Sequence, residues 1–70
     1  MVLVFKTSVT KGNQVSRLRP ILNRMLDGNG EWNFDLEDCD NILRVDTFRL
    51  RPATISSVLG KHGFICKELS

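Results

Sequence analysis

The stretch EWNFDLE, residues 31–37, alternates strictly between apolar and polar side chains. This two-residue period is typical of a β-strand with one buried and one wet face. The buried positions are Trp32, Phe34 and Leu36. Residues 38–41 then supply turn-forming side chains, and residues 42–48 return with Leu43 and Val45 at inward positions. The sequence therefore predicts a β-hairpin at the centre of the chain.

Upstream of the hairpin, residues 1–9 contain a β-branched and aromatic run that predicts a central strand. Either Leu3 and Phe5 or Val2 and Val4 face the core, and the pattern leaves both alternatives open. After a loop, apolar residues recur at steps of three and four, which predicts an amphipathic helix. Its stripe consists of Val15, Leu18, Leu22 and Met25.

The start of this first helix has two alternatives in the sequence. Asn13 or Ser16 is expected to cap it, since both side chains can accept a backbone N–H. If Ser16 is the cap, Pro20 falls where the first turn ends; otherwise Pro20 kinks the helix. Turn residues at 27–30 end the helix.

Downstream of the hairpin, Pro52 suits the first turn of a second helix. Its stripe is predicted to consist of Ile55, Val58 and Leu59, extended by His62. Gly63 is placed to end this helix in the left-handed conformation, and residues 64–69 predict the last strand. The order strand, helix, strand, strand, helix, strand predicts an α+β ferredoxin-like βαββαβ fold, with two helices on one face of a four-stranded antiparallel sheet.

Composition bounds the class of protein. The chain is 41% hydrophobic and 26% charged, which is typical of one globular domain, here residues 1–70. Its net charge of +2 is spread along the chain and argues only weakly for a polyanionic partner. No apolar stretch long enough for a membrane span and no signal-peptide pattern occur, so the expectation is a cytoplasmic protein without membrane contact. Cys39 and Cys66 fit no zinc or CxxC pattern and are expected to be reduced thiols without a disulfide.

Four groups of residues resemble the heavy-metal-associated family, which comprises small copper chaperones and metal-binding modules of P-type ATPases. They are Val15 with Leu18, residues 32–37, residues 43–45, and Gly63 with Phe64. The resemblance spans nearly the whole chain and implies a metal-binding M-x-C-x-x-C motif at residues 6–11. Ser8 and Lys11 stand where that family has its cysteines. A hydroxyl and an ammonium are poor Cu(I) ligands, so no metal site and no cofactor are predicted.

The loop before the first helix is the candidate site. A helix N-terminus offers free N–H groups to an anion, and this loop adds hydroxyls and a lysine. The candidate anion or partner residues are Ser8, Thr10, Lys11, Gly12 and Asn13. A solvated connector is the alternative interpretation.

Each of three further features has both a functional and a purely structural interpretation. Phe64 either shields a ligand near Ser8 or is a core residue. His62 and Cys66 either form a metal pair or are incidental. Five arginines form either a basic face for a nucleic acid or acidic partner, or the wet side of two helices: Arg17, Arg19, Arg24, Arg49 and Arg51.

These features favour a non-enzymatic interaction module with a protein partner, on a heavy-metal-associated-like scaffold without its metal ligands. The alternatives are a nucleic-acid-binding module on the same fold, or residual metal binding or transport through non-standard ligands. Nucleic acid is disfavoured because no aromatic RNA-binding motif occurs. An acylphosphatase-like enzyme is disfavoured because the first loop contains no arginine. A homo-oligomer through an edge strand or sheet face stays open.

Overall fold

The computed structural model describes residues 1–37 and 39–69, and Asp38 of the predicted turn lies outside the described residues. Four strands and two helices follow one another in the predicted order. They are β1 (Val2–Thr7), α1 (Gly12–Leu26), β2 (Gly30–Asp35), β3 (Ile42–Thr47), α2 (Pro52–Lys61) and β4 (Cys66–Glu68). The predicted α+β class is confirmed.

The four strands form one sheet in the order β2-β3-β1-β4, and each neighbouring pair is antiparallel. β1 and β2 therefore run parallel with β3 between them, and β3 and β4 run parallel with β1 between them. Each helix connects two parallel strands across an intervening strand. The predicted hairpin is confirmed, since Trp32 pairs with Val45 and Phe34 with Leu43.

One face of the sheet is covered by both helices, because their buried residues join one cluster with those of β1 and β3. From the strands it contains Leu3, Phe5, Leu43 and Val45, and from the helices Leu18, Leu22, Leu26, Ile55 and Leu59. Trp32 and Phe34 pack against this cluster and are half-buried. The cluster decides the question left open by the first strand, since Leu3 and Phe5 face the helices.

The start of α1 corrects the prediction that Asn13 or Ser16 caps it. The cap position is Lys11, whose backbone is extended. Instead of a cap side chain, Gln14 within the first turn accepts the N–H of Lys11 through Oε1 (3.1 Å). Since the helix begins at Gly12, Pro20 lies well inside it, and the helix continues through the proline to Leu26.

Several strands are shorter than predicted. β1 ends at Thr7 rather than residue 9, β2 ends before Leu36, and β4 has three residues. His62 is exposed and does not extend the stripe of α2. Gly63 has a φ of 86°, which confirms its predicted left-handed conformation. Within residues 1–37 and 39–69, no helix combines the length and apolar character required to span a bilayer.

Candidate functional site

The segment at residues 8–13, which comprises the connection after β1 and the first two residues of α1, is anchored to the segment before β4. The Ser8 N–H donates to the Ile65 carbonyl (3.0 Å), and the Ile65 N–H donates to Ser8 Oγ (2.8 Å). The Ser8 hydroxyl therefore fixes one loop against another. At the position where the resembled family has its first cysteine, this chain has a structural hydrogen bond.

The next part of the loop is held by Gln14. Its Oε1 accepts the N–H groups of Thr10 (2.8 Å) and Lys11 (3.1 Å). These two donors are therefore engaged within the chain. Lys11, Gly12 and Asn13 are exposed. The assignment of residues 8 and 10–13 as an anion or partner loop stays a prediction.

Thr7 connects this loop to the turn between β2 and β3. Its buried hydroxyl donates to the Asn41 carbonyl (2.7 Å) and accepts the N–H of Val9 (3.2 Å). The Thr7 N–H donates to the Asp40 carbonyl (3.3 Å). Two segments that are distant in sequence, residues 7–9 and 40–41, are thus fixed to each other at one end of the sheet.

The remaining sequence candidates are placed separately. Phe64 belongs to the core cluster, and His62 is exposed at the end of α2. Cys39 and Cys66 are both free thiols, which confirms the predicted absence of a disulfide. Burial raises the pKa of the Cys66 thiol, and a hydrogen bond with Ser56 partly opposes that shift. Among the described residues, no group of three or more His, Cys, Asp or Glu is placed to hold a metal ion.

The sheet face that points away from the helices is not packed against either of them, and we call it the open face; it is not uniformly exposed, since Ile42 on this face is buried. Its strand residues are Val2, Val4, Lys6, Glu31, Asn33, Asp35, Ile42, Arg44, Asp46 and Lys67. Val2 is 59% exposed. Phe48 follows β3 in the same alternation as Asp46 and is 86% exposed. Leu69, whose N–H donates to the Val4 carbonyl (2.8 Å), is also exposed.

The charges on the open face are unevenly distributed. Glu31 and Asp46 are direct cross-strand partners in the β2–β3 ladder. Like charges directly opposite each other destabilise a sheet. Two shallow cavities of about 400 and 330 Å³ share both carboxylates, and the larger is also lined by Phe48 and the smaller by Val2 and Arg44. By contrast, Arg44 lies 3.8 Å from the Asp35 carboxylate.

The open face has no aromatic side chain among its described strand residues. Base stacking on a sheet requires such side chains at its centre, where this chain has Val4 and Arg44. The carboxylates of Glu31, Asp35 and Asp46 also disfavour a polyanion.

Three of the five arginines of the predicted basic face line two different cavities. Arg24 at the end of α1 and Arg49 after β3 line one cavity of about 310 Å³ together with Asp27 and Thr47. Arg19 lines a different cavity beside Trp32. Arg24 and Arg49 therefore form a local pair at one cavity, and Arg19 lies at another.

The predicted strand at residues 42–48 is one residue too long, since β3 ends at Thr47, and the exposure of Phe48 is not predicted. The signal was present: continuing the period from Leu43 and Val45 places Thr47 inward and Phe48 outward. Comparison of the chain with models of protein families, with curated proteins and with solved structures finds no match.

Proposed function

We propose that this chain is a cytoplasmic, non-enzymatic protein-interaction module on a ferredoxin-like scaffold. The strand order supports this topology, because β2-β3-β1-β4 from the opposite edge is β4-β1-β3-β2, with both βαβ units split by a strand. The scaffold resembles the heavy-metal-associated family with Ser8 and Lys11 in place of the metal-binding cysteines. We propose that it binds its partner through the open face.

The observation that carries this proposal is the exposure of Phe48. A phenylalanine side chain that is 86% exposed makes little contribution to the core. It lies at the end of the open face near Val2, and both side chains line cavities that share Glu31 and Asp46. Exposed apolar groups beside a polar rim are typical of a protein-binding surface. The open face therefore offers an aromatic anchor and neighbouring apolar area.

The paired carboxylates specify the chemistry of the partner. The Asp46 carboxylate lies 3.4 Å from the N-terminal ammonium, which weakens its repulsion of Glu31 across the strand pair, whereas Glu31 has no ion pair among the described residues. A cation placed between the two carboxylates adds a favourable interaction with both. A lysine or arginine on the partner supplies that charge. We infer that the partner presents an apolar side chain to Phe48 and a neighbouring basic side chain to the two carboxylates.

The loop at residues 8–13 is a secondary contact surface in this proposal. It lies at the end of β1 beyond Thr7, whereas Phe48 lies beside the opposite end near Met1, whose carbonyl accepts the Thr47 N–H (2.9 Å). Lys11 is exposed there and available to a partner or a small anion. Contacts at the two ends are therefore separable by substitution.

Site-directed photo-cross-linking tests the open face. A photoreactive phenylalanine analogue replaces Phe48, and the same group replaces the exposed Arg17 on α1 as a control. A partner captured at position 48 is then purified, and its affinity for the wild-type chain and for variants is measured by calorimetry. We expect Phe48→Ser to weaken binding at least roughly tenfold, because truncating an aromatic hot spot typically costs about 2 kcal/mol or more and a tenfold change corresponds to about 1.4 kcal/mol.

The matched variants separate the outcomes. Glu31→Lys is expected to weaken binding by charge repulsion, whereas Arg17→Gln leaves the affinity unchanged. Capture at position 17 alone, or equal affinity of wild type and Phe48→Ser, contradicts the proposed surface. One-to-one Cu(I) binding that is lost on changing Ser8 or Lys11 would support the residual metal role, and salt-sensitive binding of single-stranded oligonucleotides would support the nucleic-acid role.

A further inference from the structure

The cavity between the end of α1 and the segment after β3 brings two cations together. Arg24 and Arg49 both line this space of about 310 Å³ and both are exposed. Within residues 1–37 and 39–69, neither guanidinium has a carboxylate oxygen within 4.0 Å. Two arginines from separate segments thus share a cavity, and neither forms an ion pair with the Asp27 carboxylate that also lines it.

A buried hydroxyl lies in the wall of the same cavity. Thr47 is 1% exposed, and its Oγ accepts the N–H groups of Arg49 (3.2 Å) and Leu50 (3.3 Å). These two bonds use the lone pairs of the oxygen and fix the backbone that carries Arg49. In both bonds the Thr47 oxygen is the acceptor, so neither of them uses the hydroxyl proton.

We propose that this cavity binds a phosphate group. Guanidinium groups donate paired hydrogen bonds to phosphate oxygens, and two of them balance the roughly double negative charge of a phosphate monoester. A phosphate has enough oxygens to accept from Arg24, Arg49 and the Thr47 hydroxyl together. The cavity is distinct from the open face, so this inference does not rest on the proposed docking of a protein there.

The charge of Asp27 predicts in which direction a substitution should change the affinity for phosphate. Its carboxylate also lines the cavity and opposes an anion, so the three charged groups around the space sum to one positive charge. Asp27 has a left-handed backbone with a φ of 47°, a conformation that asparagine also tolerates. Asp27→Asn therefore removes the opposing charge without a new backbone demand.

Titration of the ¹⁵N-labelled protein with inorganic phosphate at constant ionic strength tests the site by NMR. Saturable shifts are expected at the side-chain Nε–H signals of Arg24 and Arg49 and at the amides of residues 47–50. Arg24→Gln and Arg49→Gln should each weaken binding roughly tenfold, which is the value of one hydrogen bond to a charged group. Asp27→Asn should tighten it roughly threefold, as expected for removing one repulsive charge at a wet site.

Arg17→Gln is the matched control, because it removes one exposed positive charge from α1 outside the cavity. Its affinity for phosphate should equal that of the wild type. Absence of saturable shifts, equal weakening by Arg17→Gln, weakening by Asp27→Asn, or shifts confined to residues 8–13 would each overturn the proposal. A well-dispersed amide spectrum for each variant establishes that it is folded.

A second titration identifies the source of the phosphate group. The probe is a short peptide with one phosphoserine, compared with its unphosphorylated form and with inorganic phosphate. Tighter binding of the phosphopeptide with shifts at the same residues indicates a phosphorylated segment as the ligand. Equal affinity for phosphopeptide and free phosphate indicates a small phosphate compound, and equal binding of both peptides would contradict a phosphate site.

Discussion

The helix-covered face and the open face of the sheet are built from alternate residues of the same strands, yet their surroundings differ sharply. On β1, Phe5 is fully buried whereas Val2 is 59% exposed. On β3, Val45 joins the core cluster whereas Asp46 faces another carboxylate across the ladder. The buried side chains of the covered face stabilise the folded state. The open face retains features that reduce stability, and such local conflicts are typical of binding surfaces.

Truncation of a core leucine should produce the largest contrast between the faces. Leu22→Ala removes a fully buried side chain of α1, so we expect a loss of about 3 kcal/mol in the free energy of unfolding. Val2→Ala on the open face should cost less than about 0.5 kcal/mol. Urea denaturation followed by circular dichroism measures both. Similar losses for the two variants would contradict the division into a structural and a binding face.

A methyl group added to β2 sharpens the comparison. A Cβ at Gly30 points toward the helices, where it would overlap the Asp46 carbonyl oxygen and lie 3.0 Å from Leu26 Cδ2. Gly30→Ala should therefore destabilise the protein by about 2 kcal/mol through overpacking. Asn33→Ala, on the open side of the same strand, is the control and should stay within about 0.5 kcal/mol of wild type. Equal thermal midpoints for these two variants would show that the close approach at Gly30 is easily relaxed.

The burial of Cys66 can be tested through the pH dependence of the free energy of unfolding. Burial raises the pKa of Cys66 above its ordinary value of 9.0, so the folded state holds the proton more firmly than the unfolded state. This contribution to stability is complete below pH 9 and decreases as the pH rises through the higher folded-state pKa. Unfolding measured between neutral and alkaline pH should show an additional decrease for wild type that Cys66→Ala lacks.

Thiol labelling provides a check on the same residue. Cys39 is exposed and Cys66 is half-buried, so iodoacetamide should modify Cys39 first in the folded protein. Both should react at similar rates in denaturant. Faster modification of Cys66 in the folded state would be inconsistent with its packing against the core cluster.

The smallest effect on stability is expected on the open face. Glu31→Gln removes the repulsion with Asp46 and should stabilise the protein by roughly 0.2–1 kcal/mol. Asn33→Ala again serves as the comparison in the same denaturation experiment. If Glu31→Gln destabilises the fold, the carboxylate pair contributes to stability, and its use as evidence for a basic partner group fails.

The fold was largely predictable because periodicity records which side chains avoid water. The alternation around Trp32 and Phe34 gave the hairpin, and Gly63 gave the end of α2. The ends of elements were less predictable, since a side chain such as Gln14 can replace the expected cap from within the helix. Local rules also place a proline near a helix start, whereas Pro20 lies inside α1 on its exposed side.

The candidate surfaces were less accessible from the sequence, because each depends on contacts across the fold. Arg24 and Arg49 belong to different elements, and only packing brings them to one cavity. Strand register makes Glu31 and Asp46 neighbours. The exposure of Phe48 could have been inferred from the period of β3, but its position beside these carboxylates could not.

Trp32 is the single tryptophan of the chain, and its indole Nε1–H donates to Asn23 Oδ1 on α1 (2.7 Å), while its ring meets Phe34 edge to face at 5.9 Å. Its fluorescence therefore depends on whether α1 rests on β2. Detachment of that helix would expose the indole to water and shift its emission to the red, even while the hairpin persists. Intrinsic tryptophan fluorescence therefore reports whether α1 is packed on the sheet.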